Sequence, residues 1–338
     1  MVLAPSRHNA PVTRPDQRPA SPWAVAGALL IVYVVWGSTY LGIAIMIQTL
    51  PPLVAAGVRY TAAGVLLLGG IAIWGRLRGK PTERPSRVHW RSAIIIGTLL
   101  LLGGNGGVVL AEQRIPSGIA ALIVATTPIW MVVFEALVAG QRPSRLAIAG
   151  LFAGAVGVAI LVVPLEGVAA LDPIGIGLVA GAAISWSVGS IYARRAPLPR
   201  SPFLGAGQEM LAGGAVMLGV GLLRGELAAI DPATFSTDSL LAVAYLIVFG
   251  SLLAFTAYIW VLHHASISVV STTAYVNPVV AVALGAIVLS EPMTPRTWLA
   301  SLIIIGAVVA MVSGRPREVE ESGPSPDVAA LDPEPDLQ

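Results

Sequence analysis

The sequence predicts an all-α polytopic membrane protein in which ten transmembrane helices form two inverted five-helix repeats. Three observations support this prediction: an apolar composition, ten hydrophobic runs of membrane-spanning length, and a sequence repeat with an offset of 150 residues. Hydrophobic residues make up 56% of the 338 residues, charged residues only 11%, and the mean hydropathy is +0.81. A soluble protein of this length would carry more charge and less apolar surface.

The composition also limits the chemistry of the chain. It contains no cysteine and four histidines (His8, His89, His263 and His264), so a disulfide framework or thiolate metal site is excluded and a metal centre is poorly supported. We therefore expect no cofactor and no metal. The sequence has no HExxH motif and no pair of aspartates within a span, so an enzyme is not predicted. The net charge of +2 reflects residues that mark membrane orientation, so we expect no nucleic-acid partner.

Runs of about 20 apolar residues, the length that crosses about 30 Å of hydrocarbon, divide the chain into ten predicted spans. Their limits are 23–47, 52–74, 92–111, 118–139, 144–164, 174–193, 203–223, 239–262, 267–289 and 296–313. The first five spans form a first repeat at 23–164, and the last five form a second at 172–313. Residues 1–22 are polar and proline-rich, and residues 314–338 are acidic and proline-rich. Neither tail can bury enough apolar surface to fold, so both are predicted to be disordered.

The basic residues predict the orientation of the chain. If the amino terminus is cytoplasmic, sixteen of the twenty lysines and arginines fall in inside segments, and only Arg114, Arg224 and Arg296 fall in outside loops. Positive charge is enriched on the cytoplasmic side of membrane proteins. We therefore expect a multi-pass protein of the inner (plasma) membrane with both termini in the cytoplasm.

The internal repeat relates residues that are 150 positions apart. Trp36 corresponds to Trp186, and Pro128 corresponds to Pro278. Six small or aliphatic residues of the second span recur in the seventh: Ala56, Gly57, Ala62, Gly64, Leu68 and Gly69 match Ala206, Gly207, Ala212, Gly214, Leu218 and Gly219. Because each half has five spans, an odd number, the second half must cross the membrane in the opposite direction. Such inverted repeats place a substrate site near the midplane, between the halves.

Short motifs are spread over residues 25 to 312. They are WGSTY (36–40), PP with AAGVR (51–59), GNG to PSGIAA (104–121), ATTP (125–128), SWSVGSIY (185–192), GQEMLAGG (207–214), FGS (249–251) and YVNPVVAV (275–282). Together they resemble the EamA-type branch of the drug/metabolite transporter superfamily, closest to its YedA-type exporters. The resemblance implies an inner-membrane carrier with a central cavity that exports small metabolites, amino acids or drugs. It does not transfer a substrate, because members with similar motifs move different compounds.

Arg59 and Glu209 occupy equivalent positions of the second and seventh spans and are the sharpest candidates for a substrate pathway. An ionisable group within a span costs at least about 2.5 kcal/mol on insertion scales, so it faces a cavity or a partner, or snorkels to the interface. Helical side chains lean toward the amino terminus of their helix, which points these two heads apart. We therefore expect Arg59 in the outer part of the pathway and Glu209 in the inner part, in preference to a direct salt bridge.

Glu209 and Glu135 are the candidates for proton coupling. A carboxyl group that alternates between a dry and a wet cavity can take up and release a proton during transport. Two alternatives remain open. Glu209 could instead hold the amino group of an exported cation, and Glu135 could form a hydrogen bond where two helices meet.

Trp36 and Trp186 lie past the middle of their spans, away from the interfacial belt. They could form apolar walls against a substrate or pack between helices, and both interpretations stay open. Five uncharged polar residues are predicted near them, as cavity lining or as contacts between helices: Ser38, Asn105, Ser190, Tyr275 and Asn277.

Pro128 and Pro278 fall near the middle of the fourth and ninth predicted spans. Each removes a backbone donor, so the two prolines are either hinges for gating or static kinks. Gly150, Gly154 and Gly157 of the fifth span favour a close helix contact, either within the bundle or in a homodimer.

The predicted function is secondary active export of a small organic solute by alternating access within a lipid bilayer, with protons as a candidate coupling ion. Three alternatives were weighed. A nucleotide-sugar or organic-phosphate exchanger of the same superfamily would need more cations than Arg59 within its spans. A passive solute channel would give a steady current in place of saturable exchange. A structural or sensor protein would move nothing. The oligomeric state, monomer or homodimer, is open.

Overall fold

Ten principal helices make up the computed structural model, which describes residues 20–79, 83–115, 120, 123–140, 143–162, 172–288 and 294–313. They are α1 (Pro22–Met46), α2 (Pro52–Leu77), α3 (Arg87–Ala111), α4 (Thr127–Ala139), α5 (Arg145–Val162), α6 (Pro173–Arg195), α7 (Pro202–Leu223), α8 (Thr237–His264), α9 (Ile267–Ser271 and Thr273–Val288) and α10 (Pro295–Ser313). The residues described contain no β-strand. The all-α, ten-helix prediction is therefore confirmed. Most of the two predicted tails, residues 1–19 and 314–338, lies outside the described residues.

Helix length divides each half of the bundle in the same way. Six helices of the described chain are long and apolar enough to cross a membrane: α1, α2 and α3 of the first half, and their counterparts α6, α7 and α8 of the second. The remaining four carry shorter apolar stretches, at 127–138, 145–160, 267–280 and 298–311. The chain is thus a polytopic membrane protein in which each half contributes three long helices followed by two shorter ones.

Proline starts several of the long helices. Pro52, Pro173 and Pro202 each occupy the first helical position, where the missing N–H costs nothing because that donor has no intrahelical acceptor. Asp172 caps α6 by accepting a hydrogen bond from the N–H of Ile174. These three prolines therefore end the loops before α2, α6 and α7 and fix where those helices begin.

Helices α2 and α7, the second helix of each half, form the most extensive contact between helices in the described chain. Glycine makes this contact close. A Cβ atom on Gly57 would lie 2.6 Å from the backbone nitrogen of Leu218, and one on Gly64 would lie 2.5 Å from the backbone nitrogen of Leu211. Contact therefore moves forward along α2 from 57 to 64 while it moves backward along α7 from 218 to 211. The two helices are antiparallel.

The same contact is repeated with the two helices exchanged. A Cβ atom on Gly207 would lie 2.8 Å from the side chain of Leu68, and one on Gly214 would lie 2.5 Å from the backbone nitrogen of Thr61. Each of these residues is the counterpart, 150 positions away, of a residue in the first set. Equivalent helices thus pack symmetrically in opposite directions, which is the arrangement that an inverted repeat requires.

Helices α5 and α10, the last helix of each half, form a second antiparallel pair. A Cβ atom on Gly150 would lie 2.7 Å from the carbonyl oxygen of Ala307, and one on Gly157 would lie 2.7 Å from the side chain of Ile304. These two glycines of the fifth span therefore contact α10 of the same chain. They permit close helix packing within the bundle.

Helices α3 and α8 each contain a π-helical stretch, at Thr98–Gly106 and Leu246–Phe255. The two stretches occupy equivalent positions, because a shift of 150 places 98–106 on 248–256. A π-helical turn disturbs the regular hydrogen-bond ladder and is common at functional sites. Both stretches supply residues to the site described below.

The two predicted hinge prolines have different surroundings. Pro128 lies in the first turn of α4, directly after a turn at residues 125–126, and not in the middle of a continuous helix as the sequence predicts. Pro128 lacks the N–H that would donate to the carbonyl of Val124, which accounts for the interruption. Pro278 lies inside α9, whose own break falls at Thr272. A hinge role for either proline stays a prediction.

Candidate substrate cavity

A cavity lies between the two halves of the bundle. It contains about 840 Å³ of space free of atoms, including the part that opens to the exterior. Its lining comes from α1, α2, α3 and the α4 region of the first half and from α6, α8 and α9 of the second. Five residues that the sequence predicts for the pathway line it: Trp36, Arg59, Asn105, Trp186 and Asn277.

The lining follows the symmetry of the repeat. Four pairs of residues related by the offset of 150 have both members in the lining: Trp36 and Trp186, Val108 and Tyr258, Val124 and Ala274, and Thr127 and Asn277. Because the repeats are antiparallel, equivalent positions reach one cavity from opposite directions. The cavity therefore lies on the pseudo-twofold axis that relates the halves.

An aromatic cluster forms one wall of the cavity. The rings of Trp36 and Trp186 meet edge to face with their centroids 5.5 Å apart, and the Tyr258 ring lies 4.9 Å from the first and 5.3 Å from the second. Trp36 Nε1 donates to the carbonyl oxygen of Gly250 at 3.3 Å, and Trp186 Nε1 donates to Tyr258 Oη at 2.9 Å. Since the ring N–H groups are engaged in these bonds, the cluster presents mainly apolar ring faces.

Arg59 is the charged residue of the lining. Its side chain is almost fully buried, with only 2% of the residue exposed. Its Nε donates to Ser251 Oγ at 2.9 Å, and the guanidinium carbon lies 4.5 Å from the centroid of the Tyr60 ring. Nη1 is buried and has no hydrogen-bond partner. The guanidinium is thus positioned by a hydroxyl and an aromatic ring, with one terminal nitrogen left unused.

Amides and freed backbone groups provide further polar atoms. The Oδ1 atoms of Asn105 and Asn277 are buried without a hydrogen-bond partner. Val124 and Ala274, whose carbonyl groups lose their usual helical donor because Pro128 and Pro278 follow four residues later, both line the cavity. The site combines mostly apolar walls with a few polar groups, which is typical of small-molecule sites.

Three of the polar residues predicted for the pathway lie outside the lining and bond elsewhere. Ser38 Oγ contacts Tyr245 Oη at 2.5 Å, and Ser190 Oγ contacts Tyr258 Oη at 2.8 Å. Tyr275 Oη donates to a backbone carbonyl of α5 at 2.9 Å. Each side chain joins two helices, which is the alternative that the sequence left open for polar groups within spans.

Glu209 also lies outside the cavity lining. The residue has no exposed surface, and neither carboxyl oxygen has a hydrogen-bond partner. Its backbone contacts α3, since a Cβ atom on Gly97 would lie 2.5 Å from the carbonyl oxygen of Glu209. The ion pairs of the described residues do not include one between Glu209 and Arg59.

Glu135 forms an ion pair at the carboxyl end of α6. Its Oε2 lies 3.1 Å from Nη1 of Arg195. The neighbouring Arg194 donates through Nη1 to the carbonyl oxygens of Leu262 and Ala265 at the end of α8, at 2.9 and 2.8 Å. These contacts tie α4, α6 and α8 together at one end of the bundle, away from the cavity lining.

Some lining residues were not predicted from the sequence. Thr127 is the counterpart of Asn277, so the repeat itself carried a signal for it. Tyr258 matches Val108 and Ser251 matches Leu101, so the repeat carried no signal for either residue, although Ser251 belongs to the FGS motif. Their roles follow from the π-helical stretch and the end of α8, which place Ser251 beside Arg59 and Tyr258 between the two tryptophans.

Two antiparallel repeats around a central cavity form the architecture of membrane transporters. Residues 23–163 and 173–313 each match the EamA-like transporter family. The chain therefore belongs to the EamA-like transporter family, as its motifs indicate. The family assignment confirms the resemblance found in the sequence.

Two relatives of this chain are named as bacterial transporters, and a third is named only as a protein. The inner membrane transporter YedA of Escherichia coli (strain K12) is 40% identical over 290 residues, which cover 86% of this chain and 90% of that protein. The transporter YvbV of Bacillus subtilis (strain 168) is 26% identical over 293 residues, covering 86% of this chain and 92% of that protein. Protein PecM of Dickeya dadantii (strain 3937) is 26% identical over 280 residues, covering 81% and 88%. The family and these names indicate a transporter rather than an enzyme.

A solved crystal structure has the same fold. It superposes with a TM-score of 0.69 at 21% sequence identity and covers 86% of this chain and 96% of that chain. At this identity the likeness concerns the fold alone.

Proposed function

We propose that this protein is a secondary active transporter that exports small organic solutes across the inner membrane by alternating access. The central cavity would be the solute site. The observation that carries the proposal is the symmetry of the lining, in which Trp36 and Trp186, and Thr127 and Asn277, face one cavity from antiparallel repeats. If the two repeats exchange conformations, the same site opens to the other side of the membrane.

The orientation of the chain decides which end of the bundle faces the cytoplasm. The excess of lysine and arginine in alternate connections favours cytoplasmic termini. In that orientation the carboxyl ends of α6 and α8 lie on the cytoplasmic side, and Arg59 lies in the outer half of α2. The Glu135–Arg195 ion pair and the Arg194 hydrogen bonds would then hold the cytoplasmic side closed while the cavity faces outward.

Proton antiport is the coupling that we favour, with Glu209 as the proton carrier. A buried carboxyl group without a hydrogen-bond partner is costly as an anion, so it favours the neutral form in this conformation. Entry of water beside α7 in another conformation would allow the proton to leave. In that scheme Glu209 acts next to the solute site and not within it.

The lining argues against the organic-phosphate alternative. Of the residues described as lining the cavity, Arg59 alone carries a charge at neutral pH. A phosphate dianion is usually held by several cations or by a helix amino terminus with cationic support. A solute with at most one negative charge fits the lining better.

The proposal is tested by transport measurements on the purified protein in proteoliposomes. A panel of radiolabelled organic solutes is loaded, and uptake is measured with and without an imposed pH gradient. Saturable exchange that a pH gradient accelerates is the expected result. A steady current upon solute addition, without saturation or counterflow, would instead identify a channel.

The orientation needs its own experiment. Reporter tags are inserted near residue 85 and near residue 230, in connections that the antiparallel repeats place on opposite sides of the membrane. Opposite reporter signals are expected. Tags on the same face would contradict the inverted arrangement in the membrane and the proposed mechanism with it.

A further inference from the structure

The cavity contains one uncompensated charge. The described lining residues other than Arg59 are aromatic, aliphatic, hydroxyl-bearing, amide or glycine residues. The guanidinium group stays protonated in proteins, and a buried cation without a counter-ion is unfavourable. Glu112, which follows the last residue of α3, interacts electrostatically with the lining residue Tyr40 but is not itself a lining residue. No described lining residue supplies a counter-ion for Arg59, so we expect the solute to supply it.

The guanidinium is oriented for a planar anion. Ser251 Oγ accepts a hydrogen bond from Nε at 2.9 Å, the guanidinium carbon lies 4.5 Å from the centroid of the Tyr60 ring, and Nη1 has no partner. Carboxylates accept parallel N–H bonds from guanidinium groups in a shared plane. The lining has no second cation for a dianion, so a monocarboxylate matches the charge of the site.

The aromatic wall of the cavity suits an apolar ring. Trp36, Trp186 and Tyr258 have their polar atoms engaged in hydrogen bonds and contribute mainly ring faces. Flat aromatic faces of this kind favour contact with a planar apolar group. The described lining residues include no carboxylate that could pair with an ammonium group.

One segment contacts both Arg59 and the aromatic wall. Gly250 accepts the hydrogen bond of Trp36, and the next residue, Ser251, accepts that of Arg59. Both residues lie in the π-helical stretch of α8. A Cβ atom on Gly250 would lie 2.8 Å from Nη2 of Arg59, so glycine leaves room for the guanidinium. The π-helical stretch therefore sets the position of the cation relative to the aromatic wall.

We propose that the solute is a small organic monocarboxylate with a planar apolar body, whose carboxylate binds Arg59 and whose body contacts Trp36 and Trp186. This inference rests on the proposed function, because it takes the cavity as the transport site. An amino group on the solute is not required, since the lining has no anionic partner for it.

The test uses three probes with the same phenylpropyl body: 3-phenylpropionate, its neutral amide, and 3-phenylpropylamine. Binding to the purified full-length protein is measured by isothermal titration calorimetry at pH 7. A charge-assisted hydrogen bond corresponds to about a tenfold gain in affinity or more, so the anion should bind at least about tenfold more tightly than the amide. Equal or tighter binding of the amide or the amine, or failure of the anion to bind at millimolar concentration, would overturn the proposal.

Variants test whether Arg59 causes the preference for the anion over the amide. Arg59→Gln should abolish the difference between anion and amide, and Arg59→Lys should retain part of it. Arg224→Gln is the control, because it removes an exposed cation at the end of α7 outside the cavity. Folding of each variant is checked by thermal unfolding. If Arg59→Gln does not fold, Ser251→Ala, which keeps the charge and removes the Nε acceptor, should weaken binding of the anion several-fold without affecting the amide.

The two proposals fail in distinguishable ways. An anion preference that persists in Arg59→Gln, or that is unchanged in Ser251→Ala, contradicts the assignment of the carboxylate to Arg59. Vesicles that show no saturable exchange of any solute contradict the transport function. Saturable exchange of amines without preference for anions contradicts the inferred solute class alone.

Discussion

Trp36 and Trp186 are the same position in the two repeats, and their rings contact each other edge to face with centroids 5.5 Å apart. A residue can meet its own counterpart only where the pseudo-twofold axis passes between them. The axis therefore runs through the aromatic wall of the cavity. Any motion that exchanges the conformations of the two repeats keeps this pair at its centre.

The hydrogen bonds of the aromatic wall differ between the two tryptophans, which leads to a first prediction. Trp186→Phe removes the N–H that donates to Tyr258 Oη at 2.9 Å and loosens the tyrosine that lines the cavity. The loss of one hydrogen bond of about 1 kcal/mol should raise KM about fivefold. Trp74→Phe, at a site where the residue is 61% exposed on the outer surface of the bundle, is the control. An equal KM in both variants would exclude a role for the wall in binding.

A second prediction concerns the contact between α2 and α7. Gly64→Ala places a Cβ atom 2.5 Å from the backbone nitrogen of Leu211, so the helices must separate, at a cost of about 1–3 kcal/mol. Its thermal unfolding temperature should fall clearly. Gly69→Ala on the same helix meets no atom within 4 Å and should unfold at or above the wild-type temperature, because alanine favours helix. Similar unfolding temperatures for the two variants would contradict the close symmetrical contact.

A third prediction follows from the isolation of Glu209. Glutamine has nearly the same shape and no charge to bury, so Glu209→Gln should fold normally and retain solute counterflow. Acceleration by a pH gradient should disappear, as measured by uptake in proteoliposomes. Glu135→Gln serves as the comparison, since its carboxylate already pairs with Arg195. Loss of the pH effect in Glu135→Gln and not in Glu209→Gln would reverse the assignment.

The Glu135–Arg195 ion pair should contribute little to stability. The Arg195 side chain is 37% exposed, and ion pairs in contact with solvent typically contribute about 0.2–1 kcal/mol. A double-mutant cycle with Glu135→Gln and Arg195→Gln, followed by thermal unfolding, measures the coupling. A larger effect on transport than on unfolding would support a role in closing the cavity, whereas a coupling of several kcal/mol would show that the pair is mainly structural.

The connection between α3 and α6 should respond to acid. Arg114 donates to the carboxylate of Asp172 at 2.9 Å, and the N–H of Ile174 also donates to it, so the pKa of Asp172 lies below its ordinary value of 3.8. A lowered pKa in the folded state means that the stabilisation is present above about pH 4 and is lost as the pH falls through the folded-state pKa.

Asp172→Asn should therefore unfold at a slightly lower temperature than the wild type at pH 7, and the difference should shrink as the pH is lowered below 4. Asp238→Asn, at the start of α8, is the matched control because it leaves the pair with Arg114 intact. A difference that stays constant with pH would show that the ion pair does not stabilise the fold.

Much of the architecture could be predicted because it depends on local properties of the chain. Ten spans follow from hydrophobic length, and the repeat predicts the antiparallel arrangement that the contacts of Gly57 and Gly207 show. Trp36 and Trp186 could be placed at one site because both lie at the same depth in equivalent helices. The helix interruption before Pro128 was not predicted, because a proline can also lie inside a helix without interrupting it, as Pro278 does in α9.

Which polar residues line the cavity is harder to predict from the sequence. Asn277 lines the cavity, whereas Tyr275, two positions earlier on the same helix, bonds to α5. A difference of two residues turns a side chain by about 200° around a helix, so the rotation of each helix decides which group faces the cavity. Ser251 and Gly250 hold Arg59 and Trp36 because a π-helical stretch shifts the register of α8 there.

By itself the sequence determined the membrane environment, the number of helices, the inverted repeat and the family, because apolar length, repeat offset and short motifs are properties of the chain read in order. Only the tertiary structure decided which side chains surround the cavity, that Arg59 lines it without a carboxylate partner, and that Glu209 is buried outside the lining. These outcomes depend on how seven helices rotate and approach one another, and each orientation is set by contacts between residues far apart in the sequence.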